Sequence, residues 1–144
     1  MLTMNPRIVL LLSLVAATLT AGCTSTKSTI TDEGIGYRIT KAQAKEIVDS
    51  SILANFSPDY VNAGPAESLT SSGYIRFAMD TQTINATAIP TRGKLSNGQM
   101  AEGYGFQISN FGTMPISGGS KARAVYSLLK QQGQGAGELL RVSP

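Results

Sequence analysis

The chain has 144 residues, a net charge of +3 at pH 7, one cysteine and no histidine. The missing histidine excludes Ser-His and Cys-His catalytic pairs and the usual zinc sites, and a single cysteine excludes a disulfide within the chain. The 12 basic and 9 acidic residues are scattered. Because no basic run could follow a phosphate backbone, we expect no nucleic-acid partner. We also expect no metal and no other cofactor.

The first 22 residues have the parts of a secretory signal. A short start carrying Arg7 is followed by an apolar stretch at residues 8–19, which is too short to span a bilayer as a helix. The sequence LTAGC at residues 19–23 then ends in the single cysteine. This segment resembles the lipobox of bacterial lipoproteins, in which the signal is cut before the cysteine and the cysteine carries acyl chains such as palmitate.

The resemblance implies signal cleavage after Gly22 and lipid attachment to Cys23. It further implies a protein of the bacterial cell envelope that is held on a membrane by its lipid. Thr24 rather than aspartate follows the cysteine, and in that family this favours the outer membrane, with the protein facing the periplasm. An ordinary signal cut elsewhere and an uncleaved anchor are the alternatives.

The mature chain is long enough for one domain. Residues 23–34 are rich in Ser, Thr and Lys and bury little apolar surface, so they are predicted to form a flexible tether. A single domain is expected at residues 35–132. The glycine-rich sequence GQGAG opens residues 133–144, which are predicted to form a flexible C-terminal tail.

Two helices are predicted. Thr40 and Gln43 fit a capping box, and apolar residues at helical spacing predict a helix over residues 41–54. A second apolar stripe predicts a helix that begins near Ser117 or Ser120 and ends near residue 132, where Gly133 follows.

Three strands are predicted between the helices. Apolar and polar residues alternate over residues 75–79, 84–88 and 100–108, and Asn97-Gly98 is a strong hairpin signal. Gly103 and Gly105 predict a bulge or a close neighbour on the third strand. The pattern predicts an α+β fold, namely a small two-layer sandwich in which an antiparallel three-stranded meander is flanked by an N-terminal and a C-terminal helix.

The hairpin loop at residues 91–99 is the most plausible contact surface. Its residues Arg92, Lys94, Leu95 and Asn97 offer two cations, an apolar side chain and an amide. Such a tip can touch an anionic glycan, a lipid headgroup or another envelope protein. An ordinary polar turn is the alternative.

The sequence offers few candidate catalytic residues. Asp80 and Glu102 are candidates for a carboxylate pair, and Ser117 or Ser120 with Lys121 for a Ser-Lys dyad. Solvated charges and a helix cap explain the same residues without catalysis. We therefore expect a non-enzymatic envelope lipoprotein whose domain is a binding or assembly and support module. The alternatives are an envelope hydrolase or glycan-modifying enzyme, and a carrier of a small apolar ligand in a cavity behind Phe77, Tyr104 and Phe106.

Overall fold

The computed structural model describes residues 26–77, 80–112 and 118–143. In this part of the chain, seven strands form one antiparallel sheet and two α-helices pack against it. The elements in chain order are β1 (Thr26–Thr31), β2 (Ile35–Tyr37), α1 (Lys41–Leu53), a 3-10 helix (Pro58–Tyr60), β3 (Val61–Asn62), β4 (Thr70–Phe77), β5 (Asp80–Lys94), β6 (Met100–Gly112), α2 (Gly118–Ala136) and β7 (Leu139–Arg141).

A long hairpin of β5 and β6 is the centre of the sheet. Its register runs from Thr83 opposite Phe111 to Lys94 opposite Met100. β4 lies beside the first half of β5, and β1 lies beside the second half of β6. β3 adds a short outer strand beside β4, so the sheet is five strands wide near the end where β1 begins.

β5 continues through Pro90, although proline cannot donate a hydrogen bond to a neighbouring strand. The Ala88 N–H donates to the Leu69 carbonyl on the β4 side, so the nitrogen of Pro90, two residues further, faces the same side. β4 begins at Thr70, opposite Thr87, and does not reach that far. The proline thus removes no hydrogen bond from the sheet.

Four strands close a ring at the hairpin end. β6 pairs with β2, β2 pairs with β7, and β7 returns to β5. A Cβ atom at Gly103 would overlap the Tyr37 carbonyl, and a Cβ atom at Gly93 would lie 2.7 Å from the Arg141 carbonyl oxygen. Glycine is therefore needed where these strands cross closely. The close neighbour predicted at Gly103 is confirmed and is β2.

Helix α1 begins as predicted. The Gln43 N–H donates to Thr40 Oγ1 over 3.2 Å, and the Thr40 N–H donates to Gln43 Oε1 over 2.9 Å. These two bonds form the predicted capping box. The predicted helix over residues 41–54 is confirmed to within one residue at its end.

Helix α2 runs past its predicted end near residue 132. Gly133 lies inside the helix and is buried, because the Tyr37 ring packs against it. A Cβ atom there would lie 2.7 Å from Tyr37 Cδ2 and 3.0 Å from Phe106 Cε2. This glycine permits close packing of the helix and does not terminate it.

One core joins both helices to one face of the sheet. Helix α1 contributes Ile47, Val48 and Ile52, which are buried together with β5 and β6 side chains. Among the described residues, the buried hydrophobic residues of this core are Tyr37, Ile39, Ala44, Ile47, Val48, Ile52, Phe56, Ile84, Ala86, Ala88, Phe106, Ile108, Ala122, Val125 and Leu129. Both helices therefore lie on the same side of the central hairpin.

The predicted three-stranded meander flanked by helices is wrong, because the described sheet has seven strands. Three of the missed strands, β2, β3 and β7, have three residues or fewer and cannot show an alternating pattern. The fourth, β1, is a Ser/Thr-rich segment that pairs with β6 through its backbone. Its side chains gave no sign of a partner that lies more than seventy residues away in sequence.

The predicted tether and tail both contain regular structure. Residues 26–31 of the predicted tether at 23–34 form β1, and residues 139–141 of the predicted tail at 133–144 form β7. The predicted domain at 35–132 therefore extends at both ends. Neither of the helices in the described part of the chain is long and apolar enough to cross a bilayer.

Candidate partner-contact surface at the hairpin tip

The tip of the β5–β6 hairpin is a well-defined turn. The Leu95 N–H donates to the Gln99 carbonyl over 2.9 Å, and the Gly98 N–H donates to the Leu95 carbonyl over 3.0 Å. Gly98 has a φ of +83°, a conformation that favours glycine. Asn97 Oδ1 accepts a hydrogen bond from the Gln99 N–H over 2.9 Å. The hairpin predicted from Asn97-Gly98 is confirmed.

The structure separates the four predicted contact residues into two groups. Arg92, Lys94 and Asn97 are exposed, so they are available to a partner. Leu95 is only 7% exposed. The expectation that Leu95 belongs to the contact surface is therefore corrected: its side chain points inward because the strands close on each other at this end.

A side chain from outside the hairpin holds the tip. Glu138, in the connection between α2 and β7, accepts hydrogen bonds at Oε1 from Ser96 Oγ over 2.8 Å and from the Ser96 N–H over 3.3 Å. Sequence reasoning missed Glu138 because it lies in the predicted tail. A lone acid after a glycine-rich run carries no signal of this long-range contact.

A groove of about 450 Å³ lies beside the tip, between the hairpin and the start of α1. Its polar lining includes Thr40, Lys41, Arg92 and Glu102, and Tyr104 adds an aromatic side chain. Arg92 and Glu102 lie opposite each other on the paired strands. The groove therefore extends the exposed cations of the tip into a concave surface of mixed charge, which suits a polar partner.

The two residues of the candidate carboxylate pair lie far apart along the backbone of the sheet. Asp80 begins β5 at one end of the sheet, whereas Glu102 lies opposite Arg92 near the hairpin tip. Residues 80 and 92 of one strand are separated by about 40 Å at roughly 3.3 Å per residue. Two carboxylates that share one substrate bond must lie within about 10 Å of each other.

The candidate Ser-Lys dyad is not assembled either. Ser120 and Lys121 are adjacent in the first turns of α2, and Ser117 lies outside the described residues. The Lys121 ammonium lies 5.2 Å from the centre of the Phe56 ring. This contact places the Lys121 side chain on the Phe56 ring and not in the position of a base toward a serine hydroxyl.

The space behind Phe106 is filled by side chains. The Phe106 and Tyr37 rings lie 5.9 Å apart between centres, and Gly133 packs against both. Tyr104, which was expected in the same cavity, lines the groove beside the tip. The side chain of Phe77 lies outside the described part of the structure. The packing around Phe106 disfavours an apolar ligand there.

An electrostatic cluster links α2 to the turn after β1. Lys130 Nζ donates to Asp32 Oδ2 over 2.8 Å and lies 5.7 Å from the centre of the Tyr126 ring. Burial, followed by the charge of Asp32, raises the pKa of Tyr126 to about 12. Burial also raises the pKa of Tyr37, and the hydrogen bond to Asp32 raises the pKa of Lys130. Both tyrosines thus stay protonated at neutral pH, which fits a structural role.

The lipid-attachment residues lie outside the described part of the chain. Cys23 and Gly22 precede Thr26, where the described structure starts. Among the described residues, no group of three acidic, histidine or cysteine side chains could hold a metal ion. Comparisons of the chain with protein-family models, with curated proteins and with solved structures find no match.

Proposed function

We propose that this protein is a lipid-anchored, non-enzymatic lipoprotein of the bacterial envelope that presents its hairpin tip to a partner. One observation carries the proposal: β1 begins at Thr26, three residues after Cys23, and the hairpin tip lies at the opposite end of the same sheet. A lipid on Cys23 would hold the β1 end at the membrane and direct the tip away from it.

The dimensions of the sheet support this arrangement. Three residues reach at most about 11 Å, so an anchor on Cys23 keeps Thr26 close to the bilayer. Phe111 on β6 lies opposite both Lys27 on β1 and Thr83 on β5. Thr83 is therefore level with the start of β1. From Thr83 to Lys94, β5 extends about 36 Å at roughly 3.3 Å per residue. The sheet itself, rather than a flexible tether, would then set the distance of the tip from the membrane.

The chemistry of the tip supports a polar partner. Arg92 and Lys94 are exposed cations and Asn97 adds an amide, a combination that suits an anionic glycan or an acidic surface of an envelope protein. The bond between Ser96 and Glu138 fixes the tip before binding, which lowers the entropy cost of association. Together with the dispersed catalytic candidates, this favours a binding or support module over an enzyme.

The anchor is tested first. The intact mass and membrane fractionation of the native protein are compared with those of Cys23→Ser. We expect a mature N-terminus at Cys23 with added acyl mass, outer-membrane fractionation, and loss of both in the variant. An unmodified cysteine would contradict the anchor.

The tip is tested separately by photo-crosslinking from position 97 in intact cells. We expect crosslinks to one envelope protein or glycan, and their loss in Arg92→Gln/Lys94→Gln. The matched control is a crosslinker at Ser127, an exposed position on α2. Turnover of an envelope substrate that a single polar substitution abolishes would contradict the non-enzymatic role.

A further inference from the structure

The end of the sheet where β1 begins carries a second feature. Lys27, Phe111, Thr83 and Tyr74 are successive cross-strand neighbours on β1, β6, β5 and β4. With strands about 4.8 Å apart, Tyr74 lies roughly 14 Å across the sheet from Lys27. Tyr74 is thus level with Lys27, near the start of β1.

A pocket of about 300 Å³ opens beside Tyr74. The aromatic side chains Phe56, Tyr60 and Tyr74 and the cations Arg76 and Lys121 line it. Tyr60 is 42% exposed at its mouth, and Arg76 is exposed as well. Lys121 lies over the Phe56 ring, with its ammonium 5.2 Å from the ring centre.

The charged side chains described in the lining of this pocket are all positive. Its described lining contains two cations and no carboxylate. The neighbouring acid Asp59 is exposed and does not line the pocket. A guanidinium and an ammonium that converge on one space bind phosphate oxygens well. Beside them, the exposed Tyr60 matches the aromatic residues that proteins place at the level of lipid headgroups.

We propose that this pocket binds the phosphodiester headgroup of an anionic lipid in the membrane that holds the Cys23 lipid. The inference rests on the proposed function, since that anchor brings the pocket to the bilayer. Headgroup binding at Arg76 and Lys121 is a second membrane signal beside the acyl chains. It fixes the orientation of the sheet, with the β1 end on the membrane and the hairpin tip away from it.

The experiment uses the lipidated protein with a Tyr60→Trp reporter, in a chain that otherwise has no tryptophan. The protein is reconstituted into vesicles of phosphatidylcholine alone or mixed with phosphatidylglycerol, and quenching of the introduced tryptophan by brominated lipid measures docking. We expect strong quenching in the mixed vesicles only. Arg76→Gln/Lys121→Gln should lower the docking equilibrium constant about 25-fold, since each cation near an anionic surface contributes about fivefold.

The matched control is Arg92→Gln/Lys94→Gln, which removes the same charge at the far end of the sheet. It should leave the quenching unchanged. Equal quenching in both vesicle types, or an equal loss in the two double variants, would overturn the proposal. Circular dichroism checks that each variant is folded, and Arg76→Lys, which keeps the charge, should retain most of the docking.

Intact mass separates failure of the anchor from failure of the pocket. If Cys23 carries no acyl chain, the proposed anchor fails. The same protein added to preformed vesicles then still reports, through the same variants, whether the pocket binds anionic headgroups. Loss of the anchor together with retained, Arg76-dependent binding would support the pocket alone, and absence of that binding would reject it.

Discussion

Ser50 and Gln132 join the two helices through a side-chain hydrogen bond, in which Ser50 Oγ and Gln132 Oε1 lie 2.8 Å apart. Ser50 Oγ also lies 3.2 Å from the Ile47 carbonyl oxygen, one turn earlier in α1. The next residue, Ser51, is fully buried. Its hydroxyl has no hydrogen-bond partner among the described residues. The hydroxyls of these two adjacent serines should therefore contribute differently to the stability of the fold.

Alanine substitutions should separate these serines. Ser50→Ala removes bonds worth about 1 kcal/mol and regains about half of that in helix propensity, so we expect a net loss of roughly 0.5 kcal/mol. Ser51→Ala removes a buried hydroxyl without a partner and should gain about 0.5–1 kcal/mol. Urea unfolding of both variants measures the difference. Equal changes in the free energy of unfolding would show that the bond to Gln132 contributes nothing.

The glycines of α2 offer a second matched pair. Gly133→Ala places a Cβ atom 2.7 Å from the Tyr37 ring, which should cost about 1–3 kcal/mol of stability. A Cβ atom at Gly135 meets nothing within 4 Å, and alanine there should stabilise the helix by about 0.5–1 kcal/mol. Thermal unfolding checks the opposite signs. A gain in both variants would mean that Tyr37 moves aside without cost.

Local patterns predicted the parts of this fold that depend on nearby residues. The capping box of Thr40 and Gln43 and the turn at Asn97-Gly98 each satisfy backbone groups within a few residues, so their sequence signatures are specific. Gly133 has the signature of a helix end, but its neighbour Tyr37 lies almost a hundred residues away in sequence. That tertiary contact decided its role.

Strand pairing and the burial of side chains at the hairpin tip were harder to predict from the sequence. β1 carries Thr, Lys and Ser side chains that also suit a tether, and only its pairing with β6 makes it a strand. Leu95 is apolar among polar residues, so the sequence could not tell an exposed contact from a buried support. Arg92 and Lys94 are exposed, as a contact surface requires, and cations are rarely buried without a partner.

The cluster around Asp32 predicts a specific loss of stability at alkaline pH. The folded state holds the pKa of Tyr126 at about 12, above its ordinary value of 10.0. Folding therefore favours the protonated tyrosine. Its contribution is complete below pH 10 and is lost as the pH rises through about 12. The raised pKa values of Tyr37 and Lys130 act in the same direction.

Tyr126→Phe should reduce this alkaline loss. We expect the free energy of unfolding to fall by about 2 kcal/mol less between pH 10 and pH 12 than in the unsubstituted protein. Urea unfolding across this range measures the change, and tyrosinate absorbance follows the titration directly. Tyr60→Phe, at an exposed tyrosine outside the cluster, is the control and should keep the full decline. An unchanged slope in Tyr126→Phe would reject the role of this residue.

Leu95→Ala tests whether Leu95 supports the hairpin tip or belongs to its contact surface. Because its side chain is 7% exposed, Leu95→Ala should cost about 2–4 kcal/mol of stability. Leu53, which is 49% exposed on α1, is the matched control, and Leu53→Ala should cost less than about 1 kcal/mol. Urea unfolding compares the two. If Leu95→Ala instead abolished crosslinking from position 97 at unchanged stability, Leu95 would be a contact residue and not a support of the tip.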